Sequence, residues 1–298
     1  MPTGHLLLGA LVALVWAGNF VAVRIGLDAG LPPVLMTALR FAAVGVLAPL
    51  APRPCGWPAL LGLGAALGVG QLGLSTLAVA AGLSPGIASL AMQTQAFFTM
   101  GLAALLLGER PGGRDIAGAA VAGCGIALLA LGKGGGTAAV PPLGLALILA
   151  AAASWAAGNL LLRRLRRAGG SGSHPLAVAV WMAAVSAPPL LALSWSLEGG
   201  PLPVLAGLRS PGAAAGVVLY SAVGSTLVAT AVWAWLLSRH PAGRVAPLSL
   251  LVPVFGMALS ALLLGERFGP RDAAAASLVL AGLVIPLLPW RRWRARQP

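Results

Sequence analysis

The chain has 298 residues, of which 59% are hydrophobic and only 8% are charged. A soluble globular domain carries about 25% charged residues. The composition therefore indicates an integral membrane protein and excludes a soluble enzyme, a disordered chain and a secreted disulfide scaffold. The net charge of +13 would suggest a nucleic-acid partner in a soluble protein. Here the basic residues stand in short clusters between apolar runs, as at the ends of membrane helices, so we predict no nucleic-acid binding.

Ten apolar runs are long enough to cross a bilayer as helices, which takes about 20 residues each. The short alternating strands of a membrane β-barrel do not fit such continuous runs. The predicted spans are 5–27, 32–51, 57–81, 85–108, 113–132, 141–163, 174–197, 211–238, 241–265 and 272–290. Clusters of Pro and Gly separate them. The spans use most of the chain and leave no room for a soluble catalytic domain.

The distribution of Lys and Arg predicts the orientation, because basic residues are enriched in cytoplasmic loops. With a cytoplasmic N-terminus, thirteen basic residues lie in the inner loops and tail and five in the outer loops. We therefore expect both termini to be cytoplasmic. The chain has a single Lys, Lys133, and is rich in Ala, Gly and Arg, which suggests a GC-rich bacterial source and a location in the cell inner (plasma) membrane.

The chain contains an internal repeat. Residues 102–115 read LAALLLGERPGGRD and residues 259–272 read LSALLLGERFGPRD. A weaker sequence similarity relates Trp16 and Asn19 to Trp155 and Asn159. We divide the chain into five-helix repeats at 1–136 and 137–298. Because five is odd, the second repeat enters the membrane inverted, an arrangement typical of transporters. The predicted fold class is all-α, with ten transmembrane helices in two inverted five-helix repeats.

Three sequence motifs, one of them present twice, carry a resemblance to a known family. WAGNFVAVR at 16–24, TALRF at 37–41 and the paired LLLGER segments resemble the drug/metabolite transporter superfamily and its ten-helix EamA-like exporters. General similarity favours the YddG-type aromatic amino-acid exporter branch. The resemblance implies a central cavity bordered by the fourth and ninth helices, with the fifth and tenth helices peripheral. It also implies export of small metabolites.

The resulting functional hypothesis is a transporter that exports amino acids, including aromatic ones, with broad specificity and by alternating access. A drug or other metabolite exporter is the alternative within the superfamily. An intramembrane enzyme is a remote alternative, because no His lies in the middle of a span and no His/Glu cluster could bind a metal. We expect no cofactor and no metal. The expected partners are a small-molecule substrate and the lipid bilayer, and the sequence leaves monomer and dimer open.

Polar and aromatic residues within the spans are the candidate substrate-binding groups. Amides and hydroxyls can hydrogen-bond a zwitterion, and aromatic rings can cover an apolar side chain. Helix packing through interhelical hydrogen bonds is the alternative for each of them. The candidates are Trp16, Asn19, Phe20, Gln71, Gln93, Trp155, Asn159, Tyr220 and Ser225. On the fourth helix, Gln93 and Gln95 lie on different faces, and the sequence does not decide which face lines the cavity.

A second group of candidates has structural or gating roles: Arg40, Glu109, Glu266, Pro188, Pro247 and Pro253. Arg40, deep within a span, could bind a substrate carboxylate, or could brace its helix against Asp28 or backbone carbonyls. The two Glu residues could form charged gates, or could bind backbone amides at the start of the following helices. Pro188 and Pro189 should break the seventh helix, and Pro247 and Pro253 should kink the ninth.

Overall fold

The computed structural model describes residues 1–131, 140–167 and 175–288. Within them, ten apolar helices are long enough to cross a membrane. They are α1 Thr3–Asp28, α2 Pro33–Leu50, α3 Trp57–Ala80, α4 Pro85–Leu107, α5 Gly113–Ala130, α6 Pro142–Leu165, α7 Pro175–Glu198, α8 Pro211–Arg239, α9 Ala246–Leu264 and α10 Pro270–Leu287. The prediction of ten helical spans is confirmed. The predicted ends at 132, 174 and 290 lie outside the described residues.

Local sequence signals explain where these helices begin and end. Several begin at proline. Proline lacks a backbone N–H, and no hydrogen bond is lost because an N–H in the first turn of a helix has no intrahelical acceptor. α4 ends at Gly108 and α9 at Gly265, both with positive φ (66° and 68°), a conformation that favours glycine. In the next turn, Asp115 accepts a hydrogen bond from the Gly112 N–H (2.8 Å), and Asp272 accepts one from the Gly269 N–H (2.9 Å). The repeated sequence thus folds into the same turn twice, with each Asp in the first turn of the next helix.

Helix packing follows the inverted repeat. α2 packs against α7, α4 against α9 and α5 against α10, and each of these pairs joins equivalent helices of the two halves. The contact of α1 with α9 is matched by that of α6 with α4. Because successive spans alternate in direction, the loops fall at two ends of the bundle. We call the end that holds the N-terminus the N-side and the other end the far side.

Glycine permits close helix approach at two of these contacts. A Cβ on Gly45 of α2 would lie 2.7 Å from the Ala184 Cα of α7, and one on Gly118 of α5 would collide with the Gly282 carbonyl of α10. At the far side, the Glu198 carboxylate of α7 accepts hydrogen bonds from the backbone N–H groups of Val34 (2.8 Å) and Leu35 (2.9 Å). This carboxylate satisfies free amides at the start of α2 and holds α2 beside α7.

Non-α segments occur in matching positions of the two halves. α3 is π-helical over Gly64–Gly73 and α8 over Tyr220–Val228. α4 contains a 3₁₀ turn at Met92–Thr94, and α9 begins with one at Ala246–Leu250. π-Helical stretches are rare and frequently occur at functional sites. The stretches at Gly64–Gly73 and Tyr220–Val228 carry three of the predicted site residues, Gln71, Tyr220 and Ser225.

The predicted break at Pro188 and Pro189 is wrong, because α7 is continuous from Pro175 to Glu198. Membrane helices tolerate internal proline where neighbouring helices and hydroxyl side chains support the local backbone. Here the Ser186 hydroxyl contacts the Met182 carbonyl (2.7 Å) and the Gly64 carbonyl of α3 (3.2 Å). The close approach of Gly45 supports the same stretch from α2.

The helical backbone of the ninth span begins at Ala242, within one residue of the predicted start at 241, and changes to 3₁₀ geometry at Ala246. Pro247 therefore lies in the first turn of the 3₁₀ segment, and Pro253 lies in the first turn of the α-helical part, Leu251–Leu264. The kink expected from these two prolines stays a prediction.

Candidate functional site

A buried polar cluster surrounds Arg40. Its side chain is 8% exposed and reaches from α2 toward α1 and α8. Nη1 donates a hydrogen bond to Asn19 Oδ1 (3.1 Å), Nη2 to Ser225 Oγ (3.3 Å) and Nε to Thr226 Oγ1 (2.9 Å). Thr226 in turn donates to the Ser221 carbonyl (2.8 Å). We call Arg40, Asn19, Ser225 and Thr226 the Arg40 cluster.

The Arg40 cluster joins the two halves of the chain. Asn19 and Arg40 belong to the first repeat, and Ser225 and Thr226 lie on the π-helical part of α8 in the second. The alternative that Asp28 braces Arg40 is wrong, because Asp28 pairs with Arg24 one turn away (2.9 Å). The three hydrogen bonds of Arg40 go to side chains, so bracing by backbone carbonyls is also not observed in the described part of the chain.

Two aromatic residues extend the contact between α1 and α8. Trp16 Nε1 donates to the Ser225 carbonyl (3.3 Å), and the Trp16 ring lies 5.2 Å from the Trp233 ring. The Tyr220 hydroxyl donates to the Val15 carbonyl (2.7 Å). The structure thus brings together four predicted binding residues, Trp16, Asn19, Tyr220 and Ser225, with Arg40. Phe20, on the same helix as Asn19, packs partly buried against the largest apolar core.

The remaining predicted binding residues lie elsewhere. Gln71 is buried in the π-helical part of α3. Gln93 donates to the Ser249 carbonyl of α9 (3.2 Å), so its face of α4 packs against α9. Trp155 packs against the largest apolar core, and Asn159 is half-buried one turn further along α6. Among the described residues, no hydrogen bond joins any of these four to the Arg40 cluster.

Glu109 and Glu266 stand at opposite ends of the bundle. On the N-side, Glu109 forms an ion pair with Arg163 at the end of α6 (2.7 Å), beside a cavity of about 440 Å³. On the far side, Glu266 accepts a hydrogen bond from the Ser84 hydroxyl (2.6 Å), beside a cavity of about 320 Å³ that Arg24 and Asp28 also line. The alternative that each Glu binds amides of the following helix is wrong, since Asp115 and Asp272 occupy that position.

The sequence did not single out three functional partners. Arg163 is one of several arginines at the end of α6, and Ser84 precedes Pro85 in a turn. Glu198 directly follows the predicted span 174–197. Their contacts join segments 54, 182 and 164 residues apart. A single sequence carries no signal for such pairings beyond the opposite charge of Arg163 and Glu109.

At the N-side, two histidines tie the start of α1 to the end of α8. His5 Nδ1 lies 2.6 Å from His240 Nε2, and Trp235 packs edge-on against His5. The pKa of His240 is lowered, first by partial removal from water and then by repulsion from His5, the N-terminal ammonium, Arg244 and Arg239. The described residues contain no group of three or more His, Cys, Asp or Glu placed to bind a metal.

The fold is shared with a solved structure. A solved crystal structure superposes with a TM-score of 0.63 at 22% identity, over 96% of this chain and 97% of its own. The EamA-like transporter family matches the chain twice, over residues 3–131 and 142–288. The chain belongs to the EamA-like transporter family. This membership confirms that it is a multi-pass membrane transporter rather than an enzyme.

Relatives within the EamA-like family include full-length matches. A protein of Salmonella typhimurium named probable amino-acid metabolite efflux pump is 36% identical over 95% of both chains. An Escherichia coli protein of the same name is 35% identical over 96% of both chains. A protein of Streptantibioticus cattleyicolor named probable terminal-alkyne amino-acid exporter is 26% identical, over 92% of this chain and 90% of its own. The finer prediction of the YddG-type branch stays a prediction.

Proposed function

We propose that this EamA-like transporter exports amino acids and related metabolites by alternating access, with the Arg40 cluster at its substrate site. The observation that carries the proposal is the position of this cluster. It is buried, polar and shared between α1, α2 and α8, which come from both halves of the chain. Inverted-repeat transporters bind their substrates between the repeats. Ionisable groups within a membrane are costly and mark substrate pathways.

The names of the relatives support the substrate class. Two full-length relatives are named as amino-acid metabolite efflux pumps and a third as an amino-acid exporter. Trp16 and Trp233 beside the cluster offer aromatic surface that could cover a side chain of varied shape. We therefore propose broad specificity that includes aromatic amino acids. We also propose cytoplasmic termini in the inner membrane, from the excess of Arg in the N-side loops.

Two Glu–Arg sets at opposite ends support alternating access. Glu109 and Glu266 are repeat equivalents. Arg24 lies five residues after Asn19, and Arg163 and Arg164 lie four and five residues after Asn159, so the arginines are also related by the repeat. In this conformation the N-side set is paired, whereas on the far side Arg24 binds Asp28 and Glu266 binds Ser84. We propose that an Arg24–Glu266 pair forms when the Glu109–Arg163 pair opens.

Counterflow in proteoliposomes tests the proposed function. Purified protein is reconstituted in vesicles loaded with one unlabelled amino acid, and uptake of the same labelled amino acid is followed for tryptophan, phenylalanine and threonine. Saturable uptake above protein-free vesicles is expected for at least one of them. Absence of counterflow for every amino acid, together with counterflow of a cationic dye, would instead support the drug-exporter alternative.

A further inference from the structure

Among the residues that the structure describes, the proposed substrate site contains a buried positive charge without a negative partner. We propose that Arg40 binds the carboxylate of the transported molecule as an ion pair, and that the ammonium group is not recognised by charge. This inference rests on the proposed function and specifies its substrate class. The carboxylate would be required, whereas the α-amino group would be dispensable.

The acidic side chains of the chain all have partners other than Arg40. There are six of them, and all six are among the described residues. None lies within ion-pair distance of Arg40. Their contacts are Asp28 with Arg24, Glu109 with Arg163, Asp115 with the Gly112 amide, Glu198 with the Val34 and Leu35 amides, Glu266 with the Ser84 hydroxyl, and Asp272 with the Gly269 amide.

A cation buried in this way is costly. An unpaired charge within a membrane or a protein interior is unfavourable by several kcal/mol, so such charges are normally paired. Arg stays protonated under these conditions and cannot avoid the cost by losing a proton. Three neutral oxygens, from Asn19, Ser225 and Thr226, solvate the guanidinium in place of a carboxylate. None of the six acidic side chains supplies the anion that would complete the site, and the carboxylate of the transported molecule would fill this role.

The guanidinium of Arg40 also has hydrogen-bond donors to spare. It has five N–H groups, and its three hydrogen bonds use one on each nitrogen. One N–H therefore remains on Nη1 and one on Nη2. Two such donors match the two oxygens of a carboxylate, the group that arginine binds in a bidentate manner. A carboxamide offers one acceptor oxygen and no charge, and an ester offers no charge.

The ammonium end of an amino acid finds no charged partner in this cluster. An ammonium recognised by charge would need a carboxylate in the site, and all six acidic side chains take part in other contacts. Neutral acceptors alone give a weaker and less selective contact than a charged partner. A molecule with a carboxylate and an acylated or replaced amino group should consequently still bind.

A competition series on the wild-type protein tests both statements, that the carboxylate is required and that the α-amino group is dispensable. Counterflow of labelled phenylalanine, or of whichever amino acid gives the largest signal, is measured against five unlabelled competitors of the same side chain. These are the amino acid, its N-acetyl derivative, its 2-hydroxy acid, its carboxamide and its methyl ester. The three carboxylates should inhibit within about threefold of one another, and the amide and ester should be at least about tenfold weaker, which corresponds to about 1.4 kcal/mol.

The outcomes separate the inference from the proposed function. Equal inhibition by the amide and the amino acid would overturn the inference while leaving amino-acid transport in place. Strong inhibition by the amino acid but none by the N-acetyl and hydroxy analogues would overturn the statement about the ammonium. Absence of counterflow for every amino acid would overturn the proposed function itself.

Variants of Arg40 give a second test. Arg40→Gln should abolish the preference for the carboxylate over the carboxamide, and Arg40→Lys should retain it in part because the charge remains. Arg209→Gln is the matched control, since Arg209 is an exposed arginine in the loop before α8. If Arg40 only braces the helices, Arg40→Gln would lower the melting temperature yet keep the carboxylate preference. If Arg40→Gln does not fold, the wild-type series decides alone.

Discussion

At the proposed site, replacing the amide nitrogen of Asn19 by oxygen would add a negative charge beside Arg40. Asn19 Oδ1 accepts a hydrogen bond from Arg40 (3.1 Å), so Asn19→Asp would place a carboxylate beside the cation without a change of shape. We expect the variant to be more stable than wild type by about 1.5–3 kcal/mol, the range for hydrogen bonds to charged groups. Transport should fall at least about tenfold, because the internal carboxylate competes with that of the substrate.

Thermal unfolding in detergent and counterflow measure these two effects. Gln93→Glu is the matched control, since it also converts a buried amide to an acid, but beside the Ser249 carbonyl rather than a cation. It should lower stability, because it buries a charge and loses a donor. If Asn19→Asp and Gln93→Glu shift the melting temperature in the same direction, the inference that Arg40 lacks a negative partner is contradicted.

The lowered pKa of His240, which lies on the N-side, predicts that the stability of the protein depends on pH. Its pKa is below the ordinary value of 6.5, so the unfolded chain binds protons more readily at this residue than the folded chain. The stability that depends on neutral His240 is therefore present above about pH 6.5 and is lost as the pH falls below it. Melting temperatures of wild type between pH 8 and 5 should decrease below about pH 6.5, and His240→Gln should lessen this decrease. An unchanged decrease in the variant would contradict the role of His240.

At the scale of elements, the close contact between α2 and α7 depends on Gly45. Its Cβ position lies 2.7 Å from the Ala184 backbone, so Gly45→Ala forces the two helices apart. We expect a loss of about 1–3 kcal/mol, the usual cost of overpacking. Gly101→Ala in α4 is the control, because nothing lies within 4 Å of its Cβ position and helix propensity favours alanine. Melting temperatures in detergent compare Gly45→Ala with Gly101→Ala. Equal melting temperatures would contradict a tight contact between α2 and α7 at Gly45.

At the scale of the whole molecule, the Glu109–Arg163 pair should bias the conformational equilibrium only slightly. The two side chains are 40% and 44% exposed, and exposed ion pairs contribute at most about 1 kcal/mol. Glu109→Gln should therefore shift the ratio of the two conformations by no more than about fivefold, toward opening at the N-side.

Accessibility of a single cysteine measures this shift. With Cys55 and Cys124 replaced, Thr99→Cys reports on the N-side cavity and Leu264→Cys on the far-side cavity. Glu109→Gln should speed labelling at position 99 by a membrane-impermeant maleimide and slow it at position 264. Arg209→Gln, outside both sets, should change neither rate. Faster labelling at both positions would indicate general loosening rather than alternation.

The number of spans, the inverted repeat and the repeated segments after α4 and α9 can all be read from the amino-acid order. These features depend on run length and on Gly and Asp at fixed positions, which are local properties of the chain. The match of Gly108 with Gly265 and of Asp115 with Asp272 is therefore readable from the amino-acid order alone.

Which polar residues contact one another depends on how the helices pack in three dimensions. Asn19, Ser225 and Thr226 contact Arg40, whereas Gln93 contacts α9 and Asn159 has no hydrogen bond among the described residues. In a membrane every helix is apolar on most faces, so periodicity does not reveal which face turns inward or which helix lies beside it. These choices depend on packing between segments far apart in the chain, such as the approach of Gly45 to Ala184. The buried charge is visible in the sequence, but that none of the six acidic side chains pairs with it follows only from where the fold places them.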